Sequence, residues 1–426
     1  MTDLTALSAR EDAARVASGS LTAEALTRAC LDRIGEREAT TGAWHYLDPD
    51  RAIAEARQRD RAPRRGPLHG VPIGVKDLMD THDMPTSYGS PIYRDHRPAW
   101  DAACVALARA AGAVVIGKTV TTEFATFFPG KTTNPHNPGH TPGGSSSGSA
   151  AAVADRMVPL AFGTQTAGSV IRPAAFCGVV GYKPSFGTIA RAGVKSLSDS
   201  LDTVGVMARD VADAAFFAAV LSGRPALRLD DEIAPPRIAF YRTPEWPHAE
   251  AAAIAVLEHA VARLAAAGAP TGEVTAPPEH TGLVEAQKIV MDYETARSLA
   301  FEHAMRPHDL SANLRERIAV GLDHSGETYD AARRDIARAR AALPTLFGDF
   351  DVLLVPAAPG EAPKGLDHTG DPIFSRSWTI LHLPCVTIPA GRGPAGLPVG
   401  VQLVGRAGDD ARTLRAAAFL ERILGA

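Results

Sequence analysis

Three stretches of the chain carry residues whose types could share one reaction. Lys76 ends the apolar run Gly70-Val-Pro-Ile-Gly-Val-Lys76. A lysine held in low dielectric loses affinity for its proton and can serve as a general base, a task closed to arginine. Thr141-Pro-Gly-Gly-Ser145-Ser146-Ser147-Gly148-Ser closes a long loop that begins near Pro129. Gly163-Thr-Gln165-Thr166-Ala167-Gly168-Ser169-Val-Ile-Arg172-Pro supplies a further serine in a run of small residues. An alkyl hydroxyl is a poor nucleophile at neutral pH unless an adjacent base takes its proton. Neutral Lys76 could take a proton from a serine hydroxyl of these two loops and later return it to a leaving group. The consecutive backbone N–H groups of Thr166, Ala167, Gly168 and Ser169 would hold the oxyanion. Water completes such a cycle, so no metal and no organic cofactor is required.

Each of these residues also has a plainer reading. Lys76 could snorkel to solvent at a strand end. Ser169 could cap a helix over Val170 to Phe176. Ser146 and Ser147 read as loop-shaping hydrogen-bonders. Arg172, one helical turn beyond Ser169, could grip a substrate carboxylate in a bidentate fork or pair with a structural acid.

Two other patterns match catalytic motifs by letter and fail on physics. Gly112-Ala-Val-Val-Ile-Gly117-Lys118-Thr119 fits the phosphate-loop spacing, but its middle is strand material where a flexible loop is needed, so Lys118 reads as structural. Gly144-Ser-Ser146-Ser-Gly148 fits a nucleophile elbow, which requires a hydrophobic strand running into Ser146. Asn-Pro-Gly-His-Thr-Pro-Gly-Gly precedes it instead. His368 or His382 would have to supply the base of such an α/β-hydrolase-type esterase. Cys177, before Gly-Val-Val, reads as a buried strand residue.

The elements that must position these residues alternate in type. Helices are expected over Thr22 to Glu38, Pro49 to Asp60, Asp101 to Ala111, Ala150 to Ala154, Glu250 to Ala267 and Thr328 to Leu343. Strands are expected over Val71 to Val75, Ala113 to Ile116, Val158 to Gly163, Val352 to Pro356, Cys385 to Pro389 and Pro398 to Val404, which makes an α/β protein. The Pro/Gly-rich segment Ala357 to Gly370 reads as a surface loop or an active-site flap. The 426 residues carry a net charge of -4, which gives no reason to expect a nucleic-acid or anionic-membrane partner. No 18-residue apolar run or basic leader occurs, and four dispersed cysteines suggest neither zinc nor disulfides, so a cytoplasmic protein is expected. Of the basic residues 37 are Arg and only 7 are Lys.

Taken together, the motifs resemble the amidase signature family. The match runs through Pro67-Leu-His-Gly-Val-Pro-Ile-Gly-Val-Lys-Asp, Ala113-Val-Val-Ile-Gly-Lys-Thr, Gly143-Gly-Ser-Ser-Ser-Gly-Ser-Ala, Cys177-Gly-Val-Val-Gly-Tyr-Lys-Pro, Ser200-Leu-Asp-Thr-Val-Gly and Leu397-Pro-Val-Gly-Val-Gln-Leu-Val-Gly. The resemblance implies a single domain over 1–426: a helical segment 1–62, a signature core 65–220, a variable pocket region 237–370 and a return to the core sheet over 376–426. It implies a central mixed sheet covered by helices on both faces. It places a Ser-Ser-Lys triad on Lys76, Ser145 and Ser169, with Ser145 following a cis peptide bond. The implied activity is hydrolysis of a small linear amide, with a homodimer left open. Many members read Asp-Thr-Gly-Gly-Ser-Ile-Arg where this chain has Gln165, Ala167 and a later Arg172, and this version is similar to a small malonamidase-like bacterial branch. The alternative within the family is the glutaminase subunit of a tRNA-dependent amidotransferase, which would need partner subunits.

Overall fold

Among the described residues, eleven strands join in a single sheet: β1 Trp44–Leu47, β2 Pro72–Lys76, β3 Val114–Thr119, β4 Leu160–Gln165, β5 Val180–Lys183, β6 Thr203–Ala208, β7 Ile238–Tyr241, β8 Thr271–Val274, β9 Val352–Pro356, β10 Cys385–Arg392 and β11 Pro398–Gly405. This computed structural model describes residues 3–229 and 233–425. The strand order is β1-β3-β2-β4-β6-β5-β10-β11-β9-β7-β8. β3, β2 and β4 run parallel, as do β9, β7 and β8, while the strands between them pair antiparallel.

Most strands are apolar throughout because both faces of the sheet are covered. Val352 and Leu354 of β9 point into one core and Leu353 and Val355 into another, the period-2 alternation of a pleated strand. Helices Ala103–Ala110, Val211–Ser222, Ala251–Ala266 and Asp410–Leu424 contribute to the first core. Helices Ile171–Cys177, Leu283–Ser298 and Gly326–Phe347 contribute to the second, and Ala23–Thr41 and Ser147–Ala154 to a third that includes Ala161 of β4. The mixed α/β sheet with helices on both faces agrees with the expectation.

Cys177 corrects the reading as a strand residue. It is the last residue of helix Ile171–Cys177, Gly178 ends that helix in the left-handed region at φ 69, and β5 starts only at Val180. Lys118 is structural. Its buried Nζ lies 3.0 Å from Asp77 Oδ1 and donates to Met79 O at 2.8 Å and Thr86 Oγ1 at 2.6 Å. Among the described residues, no helix is long and apolar enough to cross a membrane.

Topology brings the chemical residues to one edge. Parallel β2 and β4 both end there, at Lys76 and Gln165, and β6 starts there, with Thr203 paired to Gln165. Connections leaving that edge are free to carry a site.

Candidate active site

Lys76 is wholly buried at the last position of β2. Its Nζ lies 2.7 Å from Ser145 Oγ, 3.0 Å from Ser146 Oγ and 2.7 Å from Thr164 Oγ1. Burial pushes the amine's pKa well below the usual lysine value, and the charge of Asp202 opposes this without outweighing it. A neutral amine has two N–H donors and one lone pair, so two of the three hydroxyls accept from it and one donates to it. Ser146 Oγ also faces Thr164 O at 3.3 Å, and a carbonyl can only accept. Its proton is therefore directed there, leaving Ser145 and Thr164 as the groups able to donate to the lysine.

The serine loop is shaped by backbone. The Gly144–Ser145 peptide is cis, as the resemblance implied. Gly143 has φ +80, and a Cβ there would meet Pro173 Cα at 2.7 Å, so no larger residue fits. Arg172 Nη2 donates to Gly144 O at 2.7 Å, and Ser146 N donates to Ser169 O at 3.4 Å, which ties the two serine loops together. Thr141 Oγ1 donates to His368 O, and Thr369 Oγ1 accepts from Arg172. The Ala357 to Gly370 segment is thus packed against the serine loop.

Between β4 and helix Ile171–Cys177 the chain turns through Thr166, Ala167, Gly168 and Ser169, and all four carbonyls are engaged. Gln287 Nε2 donates to Thr166 O, Thr379 Oγ1 to Ala167 O, Arg172 N to Gly168 O and Ser146 N to Ser169 O. The N–H groups of Ala167, Gly168 and Ser169 donate to no described residue. Gly168 fits closely: an added Cβ would stand 2.7 Å from Pro372 Cβ. Ser169 does not cap the helix. Gln165 Oε1 accepts from Val170 N at 2.9 Å and Ile171 N at 3.1 Å, so the serine hydroxyl is left free. Ser169 lines a narrow cleft with Phe127, Thr166, Ala167, Met291 and Arg317. Met291 and Arg317, both within 237–370, stand beside Ser169 there. Ser145 Oγ and Ser169 Oγ share no hydrogen bond; their loops meet through backbone.

Beyond the expected set, Asp202 anchors the turn by accepting from Thr166 Oγ1 at 2.5 Å, Leu197 N at 2.8 Å and Ser198 N at 3.0 Å, while burial raises its pKa. Arg376 Nη1 donates to Gln287 Oε1 at 2.5 Å, behind the Thr166 carbonyl. Arg172 and Arg376 are both buried, 1% and 6% exposed. Burial and then Arg376 push the Arg172 pKa down to about 9, and burial pushes Arg376 down to about 10, so both are charged at neutral pH. Neither makes an ion pair with a described residue, and Arg172 Nε, Arg172 Nη1 and Arg376 Nε have no acceptor among the described residues. The Ser146 elbow fails in three dimensions: the loop precedes Ser146, and His382 Nε2 is spent on Ser200 O.

An eleven-stranded mixed sheet with a buried lysine bonded to a loop serine, beside a turn of free N–H groups, defines an α/β protein with a lysine–serine site. The chain belongs to the amidase family, whose model matches residues 25–414. It is similar to the A-type subunit of the glutamyl-tRNA(Gln) amidotransferase of Anaeromyxobacter sp. (strain K), at 35% identity covering 99% of this chain and 97% of the relative. A crystal structure of an amidase superposes at TM-score 0.89 with 30% identity, covering 98% of this chain and 99% of that one. The native peptide amidase from Stenotrophomonas maltophilia does so at TM-score 0.81 with 31% identity, covering 99% and 97%. The protein is an enzyme of the hydrolases that act on amide carbon–nitrogen bonds.

Proposed function

We propose that the protein hydrolyses a small linear amide through an acyl-enzyme on Ser169. The observation that carries this reading is the buried Lys76 amine 2.7 Å from Ser145 Oγ, on the edge where Ser169 presents a free hydroxyl. Ser169 Oγ attacks the amide carbon, its proton passes to Ser145 Oγ, and the Ser145 proton passes to Lys76 Nζ. The carbonyl oxygen becomes an oxyanion facing the N–H groups of the Thr166 to Ser169 turn; losing one such donor typically costs about 3–4 kcal/mol of transition-state stabilisation. Collapse breaks the C–N bond as Lys76, through Ser145, returns the proton to nitrogen. Ammonia or an amine leaves, and water then cleaves the ester to release a carboxylate and free Ser169.

The substrate class in this reading is an amide bearing its own carboxylate. Two buried guanidinium groups that form no ion pair with a described residue are costly, since Asp371 acts on both only from a distance, and a substrate anion between Arg172 and Arg376 would satisfy three orphaned N–H donors. A panel of neutral aliphatic, aromatic and carboxylated amides tests both parts. Wild type should favour the carboxylated members, and Ser169→Ala should be inactive and unlabelled by a serine-directed covalent reagent. Arg376→Met should raise KM for carboxylated amides alone. Labelling that persists in Ser169→Ala would sink the nucleophile assignment, and equal KM values in Arg172→Ala and wild type for acidic and neutral amides would sink the carboxylate.

A second reading, the glutaminase subunit of an amidotransferase, is favoured by the curated relatives themselves. It predicts copurification with further subunits and an amidase activity that rises on their addition.

A further inference from the structure

Helix Leu283–Ser298 divides two cavities. Met291 lines the cleft of Ser169, and its neighbour Val290, roughly 100° around the helix, lines a second and larger cavity of about 420 Å³. The proposed amide chemistry uses no residue of this second cavity. Its apolar floor is made by Val290, Ile336 and Ile380, and its wall by Arg333, Arg334 and Arg340 of helix Gly326–Phe347.

The charges there are unbalanced. None of the three arginines forms an ion pair with a described residue, whereas Arg338 of the same helix pairs with Asp335 outside the cavity. Among the described residues, Asp330 is the one carboxylate in the lining, against three guanidinium groups. Arg340 is fixed in place, Nη2 donating to Ile380 O at 2.7 Å. The remaining polar group adds no charge. His382 stacks on Phe186 with centroids 4.1 Å apart, and burial, with Arg340 next, pushes its pKa down to about 4. Its Nε2 faces a carbonyl, Ser200 O, at 2.7 Å and so carries the ring proton. The nearby tyrosines offer no free face for a flat base: Tyr293 and Tyr329 stack on each other, with Arg297 over one and Arg333 near the other. A cationic wall over an apolar floor suits a small organic anion, its acid group among the guanidinium groups and its carbon body on the floor.

We infer that the cavity walled by Arg333, Arg334 and Arg340 is a second ligand site, separate from the Ser169 cleft, for a small organic monoanion with an apolar body, such as an aryl or alkyl carboxylate or sulfonate.

The probe for the test is 8-anilino-1-naphthalenesulfonate, followed by its fluorescence on the whole folded chain, with benzoate as competitor. Wild type should bind it saturably and release it to benzoate. The double variant Arg333→Glu/Arg334→Glu, at exposed positions where the fold is retained by circular dichroism, should weaken binding tenfold or more and leave amide hydrolysis unchanged. Arg338→Glu on the same helix should bind as wild type does. Equal affinity in wild type and the double variant, equal loss in Arg338→Glu, or no saturable binding by wild type would each overturn the assignment. Because hydrolysis is measured separately, failure of the anion site is distinguishable from failure of the Ser169 reading.

Discussion

Lys76 Nζ lies 2.7 Å from Ser145 Oγ in a setting that leaves neither residue any exposed surface. Burial disfavours the ammonium form, so the amine is a base at pH values where an exposed lysine is charged. We expect kcat/KM to rise with pH along the loss of one proton and to reach its plateau below the usual lysine range. Lys76→Arg keeps a charge there at every pH, and kcat should fall about 10²–10⁴-fold throughout. A pH–rate profile of both proteins decides; wild-type rates in Lys76→Arg would remove Lys76 from the proton path.

The same depression fixes a sign for stability. In the unfolded chain the amine titrates near the usual lysine value, above its folded value. Between those two values the unfolded state holds the extra proton, and the free energy of unfolding therefore rises with pH. Urea unfolding across that range should show a positive slope in wild type that is reduced in Lys76→Met. Identical slopes would mean that Lys76 is charged in the folded protein.

Thr164 Oγ1 gives a finer handle on the same group. A charged Lys76 would use all three hydroxyls around it as acceptors, so each of them favours the charged form. Thr164→Val removes one acceptor at nearly constant volume. It should move the acid limb of the pH–rate profile to lower pH and cost about 1 kcal/mol of stability. A limb displaced to higher pH would contradict this account.

Gln165 shows where sequence reasoning ends. Its departure from the family's Asp was visible, but its action is set by bonds made in space: Oε1 caps Val170 and Ile171, and Nε2 reaches Thr379, 214 positions away. Lys76, Ser145 and Ser169 stand out in the sequence as candidates because each sits in a local pattern of small or apolar residues that physics explains within a few positions. Gln287, Arg376 and Asp202 were not, since surface and buried polar residues on helices and loops look alike until the chain is folded. The strands were legible because both faces of the sheet are buried and their apolar runs are continuous, whereas Cys177 was misread because Gly178 ends a helix just before such a run. Gln165→Ala should cost about 1–3 kcal/mol, because two buried N–H groups lose their acceptor, and should lower kcat more than it raises KM as Ser169 is drawn toward the helix end. Thermal unfolding and steady-state kinetics read the two effects separately.

Lys118 supplies the contrasting case of a buried lysine with a carboxylate partner. Its Nζ is 3.0 Å from Asp77 Oδ1, both side chains have almost no exposure, and burial lowers its pKa while Asp77 opposes the shift. Asp77 Oδ2 also accepts from Ser87 N at 3.1 Å and Ser87 Oγ at 2.5 Å, so the pair fastens β3 to the segment after β2. Lys118→Met would leave that carboxylate buried without its counter-charge, a loss of about 3–5 kcal/mol. The expected result is a large drop in the urea midpoint with kcat per folded molecule unchanged and no nucleotide binding by either protein. ATP binding by wild type that vanished in Lys118→Met would instead revive the phosphate-loop reading, although the four residues between Gly112 and Gly117 include β3 positions whose backbone groups belong to the sheet.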